Sequence, residues 1–151
     1  MNGSAFTLRP YLPADEDAAI ELWRRTWQEH YPHLDFSARV AWWRERWRKE
    51  LVPSATITVA EADSVLQGFV TVDPQTGYLD QIVVAPEAWG VRIAPALIAE
   101  AKRLSPLGLD LKVNADNARA IRFYQKHGFA ISGEDVNPRS GALIYKMRWR
   151  S

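Results

Sequence analysis

The chain has 151 residues, with 19 basic and 18 acidic side chains, a formal charge of +1 and no cysteine. The lack of cysteine excludes disulfides, cysteine-based zinc sites and a cysteine nucleophile, and the balanced charge gives no reason to expect a nucleic-acid partner. No apolar run approaches the roughly 20 residues that cross a bilayer, and the first residues lack the pattern of a secretion signal. We expect a single domain over residues 1–151, cytoplasmic, with neither a membrane nor a nucleic acid as partner.

The first half of the chain predicts one strand, two helices and a hairpin. Asp15 stands where it could cap a helix that runs to about Glu29, and Pro32 interrupts the helical pattern. Ser37 stands where it could cap a second helix, through about Leu51. The predicted strands are short; they are Phe6–Arg9, Thr56–Ala62 and Val65–Val72. The last two are joined through Ala62-Asp63-Ser64, which indicates a hairpin.

The stretch Val83–Ala101 has the pattern of a strand that feeds a helix through a tight turn. The turn contains proline and glycine, and Pro95 suits the first turn of a helix, where a missing N–H matters little. Apolar residues then recur at helical spacing, at Ile93, Leu97, Ala101 and Leu104. Such a turn directs free backbone N–H groups and the positive end of the helix dipole at one point, where a phosphate or pyrophosphate could bind.

The second half of the chain predicts four strands and two helices. Tyr78–Ala85 is the most apolar strand, which favours a central place in the sheet. Asn117 could cap a helix that ends near His127, with Gly128 just beyond it. The remaining predicted strands are Leu109–Val113, Phe129–Ser132 and Ala142–Trp149. Hairpins imply antiparallel pairing and the two helical crossovers imply some parallel pairing, so we expect a mixed α+β sheet with helices on both faces.

The segment NARAIRFYQKHGF, residues 117–129, closely resembles a motif of the GNAT family of acyl-CoA-dependent N-acetyltransferases, N-x-x-A-x-x-F-Y-x-x-x-G-F. Every fixed position of that motif is matched, and the order of elements resembles the family over essentially the whole chain. Val84-Ala85-Pro86 also fits the V-x-P end of the family's fourth strand. The loop that follows departs from the usual Q/R-x-x-G-x-G/A, because Trp89 stands at the Gln/Arg position and Arg92 at the first Gly.

The resemblance implies a GNAT-like acyl-CoA N-acyltransferase fold, with a mixed, mostly antiparallel central sheet of six to seven strands flanked by about four helices. It also implies acetyl-CoA as co-substrate and no metal. The backbone of the fourth strand would pair with the pantetheine arm. The residues expected to bind the cofactor are Ile82, Val83, Val84, Trp89, Gly90, Val91, Arg92, Ile93, Ala94, Asn117 and Tyr124.

The resemblance implies two catalytic residues, Tyr124 and Asp80. Tyr124 matches the position whose hydroxyl lies near the sulfur, where a phenol could protonate the departing thiolate; the alternative is a tyrosine that only packs beside Phe123. Asp80 lies on the fourth strand, where many members of the family use an acidic residue as base; the alternative is an ordinary exposed carboxylate. Tyr31 and His33, between the first two helices, are candidates for contact with the acceptor.

Other interpretations of the sequence remain open. A metal site at His30, His33 and Asp35 is disfavoured, because Pro32 lies between the two histidines and the spacing does not bring a third ligand beside them. Five of the seven tryptophans lie between Trp23 and Trp47, at spacings typical of a core-facing stripe, although an aromatic acceptor wall or a dimer surface would also use them.

We therefore expect an enzyme that moves an acetyl group from acetyl-CoA to a primary amine by direct attack in a ternary complex. The acceptor would be a small-molecule amine or a peptide amine, and a homodimer is possible. The alternatives are a non-catalytic acyl-CoA-binding or regulatory domain, and an interaction module that uses the Trp-rich helices.

Overall fold

A seven-stranded mixed sheet forms the centre of the protein, in a computed structural model that describes residues 5–89 and 92–151. The strand order is β1-β2-β3-β4-β5-β7-β6. The strands are β1 Thr7–Pro10, β2 Thr56–Ala62, β3 Val65–Asp73, β4 Tyr78–Val84, β5 Gly108–Asn114, β6 Ala130–Val136 and β7 Leu143–Arg150. The helices are α1 Glu16–His30, α2 Val40–Arg46, the single turn α3 Val52–Ser54, α4 Ile93–Leu104 and α5 Ala118–Lys126. Among the described residues, no helix combines the length and the apolar character needed to span a bilayer.

The sheet divides between β4 and β5. These two strands are parallel, and their pairing is confined to Tyr78 opposite Asp110. All other neighbouring strands pair in antiparallel fashion, with β4 held along its length by β3. Because β4 is paired on only one side beyond Tyr78, its other side borders a gap. The predicted central position of β4 is confirmed.

Helices cover both faces of the sheet, as expected. Consecutive residues of β3 show this, because Phe69 packs in a core with α1 and α2 while Val70 packs in a second core with α4. Trp23, Trp43 and Trp47 are all at most 4% exposed and belong to the first core. The core-facing interpretation of these three tryptophans is confirmed.

The predicted continuous helix from Ser37 to Leu51 is divided in the structure. Ser37–Arg39 is a 3-10 turn, α2 follows, and Trp47–Leu51 is a π-helical turn. Ser37 is not the cap; the carboxylate of Asp35 instead accepts from the N–H of Ala38 at 3.2 Å. Such π turns are rare and occur mostly as single turns within helices, and both end residues of this one, Trp47 and Leu51, are buried.

Asp15 stands at the N-terminus of α1 but does not cap it with its side chain, contrary to expectation. Its carboxylate accepts from the N–H of Leu12 at 2.8 Å and pairs with Arg9. Asn117 does cap α5 as predicted, because its side chain accepts from the N–H of Ala120 at 3.2 Å. Gly128 follows that helix with a φ of 92°, a conformation that glycine adopts without strain.

The second helical crossover does not produce a parallel pair. β6 lies at the edge of the sheet, with β7 between it and β5. The chain passes β5, crosses through α5, and returns as a β6–β7 hairpin whose second strand fills the place beside β5. Both strands of this hairpin also extend beyond the predicted bounds at their C-terminal ends, to Val136 and Arg150.

Candidate active site

A cleft of about 330 Å³ occupies the gap between β4 and β5. Helix α1 borders it on one side and α5 on the other. Its lining residues are Thr26, Trp27, His30, Arg46, Tyr78, Asp80, Gln81, Ile82, Val83, Lys112, Val113, Asn114, Asn117, Ala120, Tyr124 and Ile144. The cleft therefore brings together both predicted catalytic residues and three of the predicted cofactor residues besides Tyr124, namely Ile82, Val83 and Asn117.

The backbone of β4 presents hydrogen-bonding groups to this cleft. The N–H of Ala85 donates to Gln67 of β3 at 2.8 Å, and Val83 lies opposite Phe69 in the same ladder. Because backbone groups alternate in direction along a strand, those of Ile82 and Val84 point away from β3, toward the gap. An extended chain with amide groups, such as a pantetheine arm, could pair with them as an added strand.

Tyr124 lies on α5 and is 8% exposed. Its ring packs against Phe123 and Phe129, with centroids 5.5 Å away in both cases. Burial raises the pKa of its hydroxyl above the usual 10, and the nearby Tyr78 adds to the effect. The phenol therefore keeps its proton throughout the neutral range, which is the state that an acid requires.

Asp80 occupies a bulge in β4. Thr71 of β3 lies opposite Gln81 and Val72 lies opposite Leu79, so Asp80 has no partner across the ladder. The guanidinium of Arg46 binds both carboxylate oxygens, with 3.0 Å between Nη1 and Oδ1. The amide of Gln81 also donates to Oδ1, at 3.1 Å. The carboxylate raises the pKa of Arg46, and the ion pair lies in the wall of the cleft.

Trp89 closes over the end of β4. Its indole N–H donates to the carbonyl of Val84 at 2.8 Å. The guanidinium of Arg119 lies 4.3 Å from the centre of the indole ring, and the imidazole of His30 lies 5.0 Å away. One of the strand carbonyls that faces the gap is thus already bonded to a side chain of the adjoining turn.

Helix α4 begins at Ile93, shortly after this turn. Ile93 is buried in the core and Ala94 is partly buried, so what both offer to a ligand is their N–H groups. Pro95 has no N–H, which reduces the set of free donors. Arg92 precedes the helix at the N-cap position and is exposed. Gly90 and Val91, which we also expected to bind the cofactor, lie outside the described residues.

Tyr31 and His33 occupy different positions relative to the cleft. The Tyr31 hydroxyl donates to Asp116 at 3.0 Å and accepts from the amide of Asn114, also at 3.0 Å. Tyr31 therefore ties the segment after α1 to the segment after β5 beside the cleft. His33 is exposed and lines a separate outer groove with Arg24, Gln28 and Pro32.

Arg46 and His30 are among the cleft residues that the sequence does not predict as parts of the active site. Arg46 comes from α2, and no local pattern links it to Asp80, 34 residues later. His30 was considered only as a metal ligand, yet it lines the cleft. Its position four residues after Thr26 and three after Trp27 on one helix was the available signal, because such spacings share a helix face. Among the described residues, no cluster of three or more His, Asp or Glu side chains could hold a metal ion.

Comparison with known proteins gives the family. The model of the Acetyltransferase (GNAT) family matches residues 16–129. The chain therefore belongs to the GNAT family of acetyltransferases.

Three similar proteins share between 20% and 37% of their aligned residues with this chain. The peptidyl-lysine N-acetyltransferase YjaB of Salmonella typhimurium is 30% identical over 115 residues, which is 76% of each chain. A mycothiol acetyltransferase of Brachybacterium faecium is 37% identical over 93 residues, covering 54% of this chain and 28% of that protein. The PaiA N-acetyltransferase of Thermoplasma acidophilum, solved with coenzyme A, has a TM-score of 0.80 at 20% identity and covers 97% of this chain and 99% of its own. The predicted α+β GNAT fold is confirmed.

Proposed function

We propose that this protein is a single-domain N-acetyltransferase that moves an acetyl group from acetyl-CoA to a primary amine by direct attack. The observation that carries the proposal is the cleft between β4 and β5, which holds the buried Tyr124 hydroxyl and the charged Asp80–Arg46 pair. Family membership supports acetyl transfer in general, and the PaiA neighbour holds coenzyme A in a similar fold.

In this proposal the thioester lies along β4. The backbone groups of Ile82 and the N–H of Val84, which face the gap, pair with the pantetheine amides, and a strand N–H donates to the thioester oxygen as it gains negative charge. The N–H groups of Ile93 and Ala94, with the Arg92 side chain, face the pyrophosphate. Asn117 contributes the polar group that remains on its side chain after capping α5.

The acceptor amine enters beside Asp80. The carboxylate attracts its ammonium form, and the amine must then lose a proton, because a lysine-like amine has a pKa of about 10.4. The neutral nitrogen attacks the carbonyl carbon, the C–N bond forms and the C–S bond breaks. Tyr124 donates its proton to the departing thiolate and is reprotonated by the proton that the new amide nitrogen loses.

A lysine side chain is the first acceptor to test, since the YjaB relative is described as acting on peptidyl-lysine. The assay measures release of free thiol from acetyl-CoA, with a lysine peptide with blocked termini, free amino acids and small diamines as acceptors. We expect thiol release that depends on the amine, with a mass gain of one acetyl group on the acceptor. Absence of turnover with every amine class would contradict the proposal.

The second candidate function is a non-catalytic acyl-CoA-binding domain. The bond from Trp89 to the Val84 carbonyl favours it, because this bond occupies a group that the pantetheine arm would otherwise use. Acetyl-CoA binding without turnover of any amine would support this candidate over the enzyme.

A further inference from the structure

The side of α1 that faces the cleft carries a candidate proton acceptor, which the proposed reaction still needs. Thr26 and His30, one helical turn apart, both line the cleft. They lie across the gap from α5, which carries Tyr124. The acceptor's ammonium proton needs a destination within the cleft, and Asp80 is a poor one, because Arg46 and Gln81 already bind both of its oxygens.

We propose that His30 is a catalytic residue of this acetyl transfer, which accepts the proton from the ammonium group of the acceptor. The inference rests on the proposed function and assigns the proton acceptor in it. The ammonium nitrogen gives one proton to the imidazole, which becomes imidazolium, and the neutral amine attacks the thioester. The imidazolium then releases the proton to solvent.

The surroundings of His30 suit this role. The imidazole rests against the indole of Trp89, with 5.0 Å between ring centres, and more distantly against Trp27 and Tyr31. The charged groups that act on the imidazole are Arg119 of α5 and Glu29 of α1. Burial, helped by Arg119 and opposed by Glu29, lowers the pKa of His30, so the ring is neutral and able to accept a proton at pH 7. An imidazole is also intrinsically a stronger base than a carboxylate.

Thr26 provides an independent indication that a ligand or water occupies this part of the cleft. The residue is 6% exposed, and its hydroxyl has no hydrogen-bond partner among the described residues. Buried hydroxyls in folded proteins nearly always have a partner. In the proposed complex this hydroxyl binds the acceptor nitrogen or a water that links it to His30, which makes Thr26 a positioning residue.

The kinetic test compares His30→Gln with the wild type. His127→Gln serves as matched control, because His127 lies at the end of α5 and is absent from the cleft lining. We expect His30→Gln to lower kcat by about 100-fold without changing KM for acetyl-CoA. The wild-type rate should fall at acidic pH as the imidazole protonates, and this limb should disappear in the variant. His127→Gln should keep both the rate and the acidic limb. A His30→Gln enzyme with the wild-type rate and acidic limb would overturn the inference while leaving the proposed function intact.

A second measurement does not depend on the variant's folding. The chain has three histidines, so their imidazole NMR signals can be followed separately in the wild-type protein. We expect the His30 signal to titrate below the ordinary histidine range and to move when acetyl-CoA is added, with the His33 signal unmoved. A His30 signal that ignores acetyl-CoA would overturn the inference. Acetyl-CoA binding with no turnover of any amine in the wild type would overturn the proposed function itself, and the role of His30 with it.

Discussion

Arg46 of α2 binds both carboxylate oxygens of Asp80 on β4, and the pair joins the helical layer to one of the strands that border the cleft. The Asp80 side chain is 14% exposed and that of Arg46 is 24% exposed, so each charge depends on the other for much of its solvation. Asp80 also lines the cleft between β4 and β5. In the proposed reaction, the carboxylate of Asp80 has an electrostatic role and attracts the ammonium form of the acceptor to the cleft.

Replacing Asp80 with Asn should therefore weaken the enzyme and the fold together. We expect kcat/KM for the amine to fall by about 100-fold and the free energy of unfolding to drop by about 1.5–3 kcal/mol, as for loss of a hydrogen bond between charged groups. Steady-state kinetics and urea unfolding measure the two effects. Glu50→Gln is the matched control, because it removes only a 3.4 Å, largely exposed contact to the same arginine. Equal effects of the two substitutions would argue against a special role for Asp80.

Tyr124→Phe removes the proposed acid and keeps the ring. We expect kcat to fall by about 100-fold with little change in acetyl-CoA affinity, because the ring packing against Phe123 and Phe129 is preserved. Since burial raises the pKa of Tyr124, its ionisation should not reduce the wild-type rate below about pH 10. Tyr145→Phe, on β7 and outside the cleft lining, should leave the rate unchanged. An unaltered rate in Tyr124→Phe would remove the residue from the acid role.

Arg92→Ala tests how the altered loop holds phosphate. We expect acetyl-CoA to bind about tenfold more weakly, or about 1.4 kcal/mol, because the exposed guanidinium at the start of α4 can reach a pyrophosphate directly. The difference between wild type and variant should shrink at high salt. Arg103→Ala, at the other end of the same helix and paired with Glu100, is the control. Tighter binding by Arg92→Ala would mean that the side chain obstructs the loop.

The pH dependence of stability should report on Glu16, which joins α1 to Arg44 and Arg48 at 2.7 Å each. Arg48 and Arg44 lower the pKa of Glu16 from 4.5 to about 2. A carboxyl group whose pKa is lowered by folding stabilises the fold above pH 4.5, and this stabilisation is lost as the pH falls toward 2. Glu16→Gln should therefore cost about 1 kcal/mol at pH 7, because the partners are partly solvated, and should flatten the decline between pH 4.5 and 2. Asp17→Asn, 91% exposed on the same helix, should do neither.

The sequence was most informative where local pattern determines structure. The cap at Asn117, the left-handed Gly128 and the central place of β4 each follow from a short segment. The α5 motif indicated the family because its fixed residues lie within a single helix and its ends. Features formed by residues that are close in sequence can be predicted, because they need no contact with a distant segment of the chain.

The rest of the site depends on contacts between distant segments. Arg46 stands at the end of α2 just before a π turn, Asp80 occupies a β-bulge, and neither irregularity has a clear local pattern. Trp89 meets Val84 and Arg119 through a turn whose sequence departs from the family motif. The same limit applies to His30, whose neighbours Trp89 and Arg119 are about 60 and 90 residues away along the chain.

Calorimetric titration with acetyl-CoA tests the central claim most directly, because every proposed role in the cleft requires the cofactor there. We predict a single site with a micromolar dissociation constant, about −8 kcal/mol, and weaker binding by Arg92→Ala. No heat of binding up to millimolar acetyl-CoA, weaker than about −4 kcal/mol, would contradict the account and would mean that the altered loop at Trp89 and Arg92 no longer supports an acyl-CoA site.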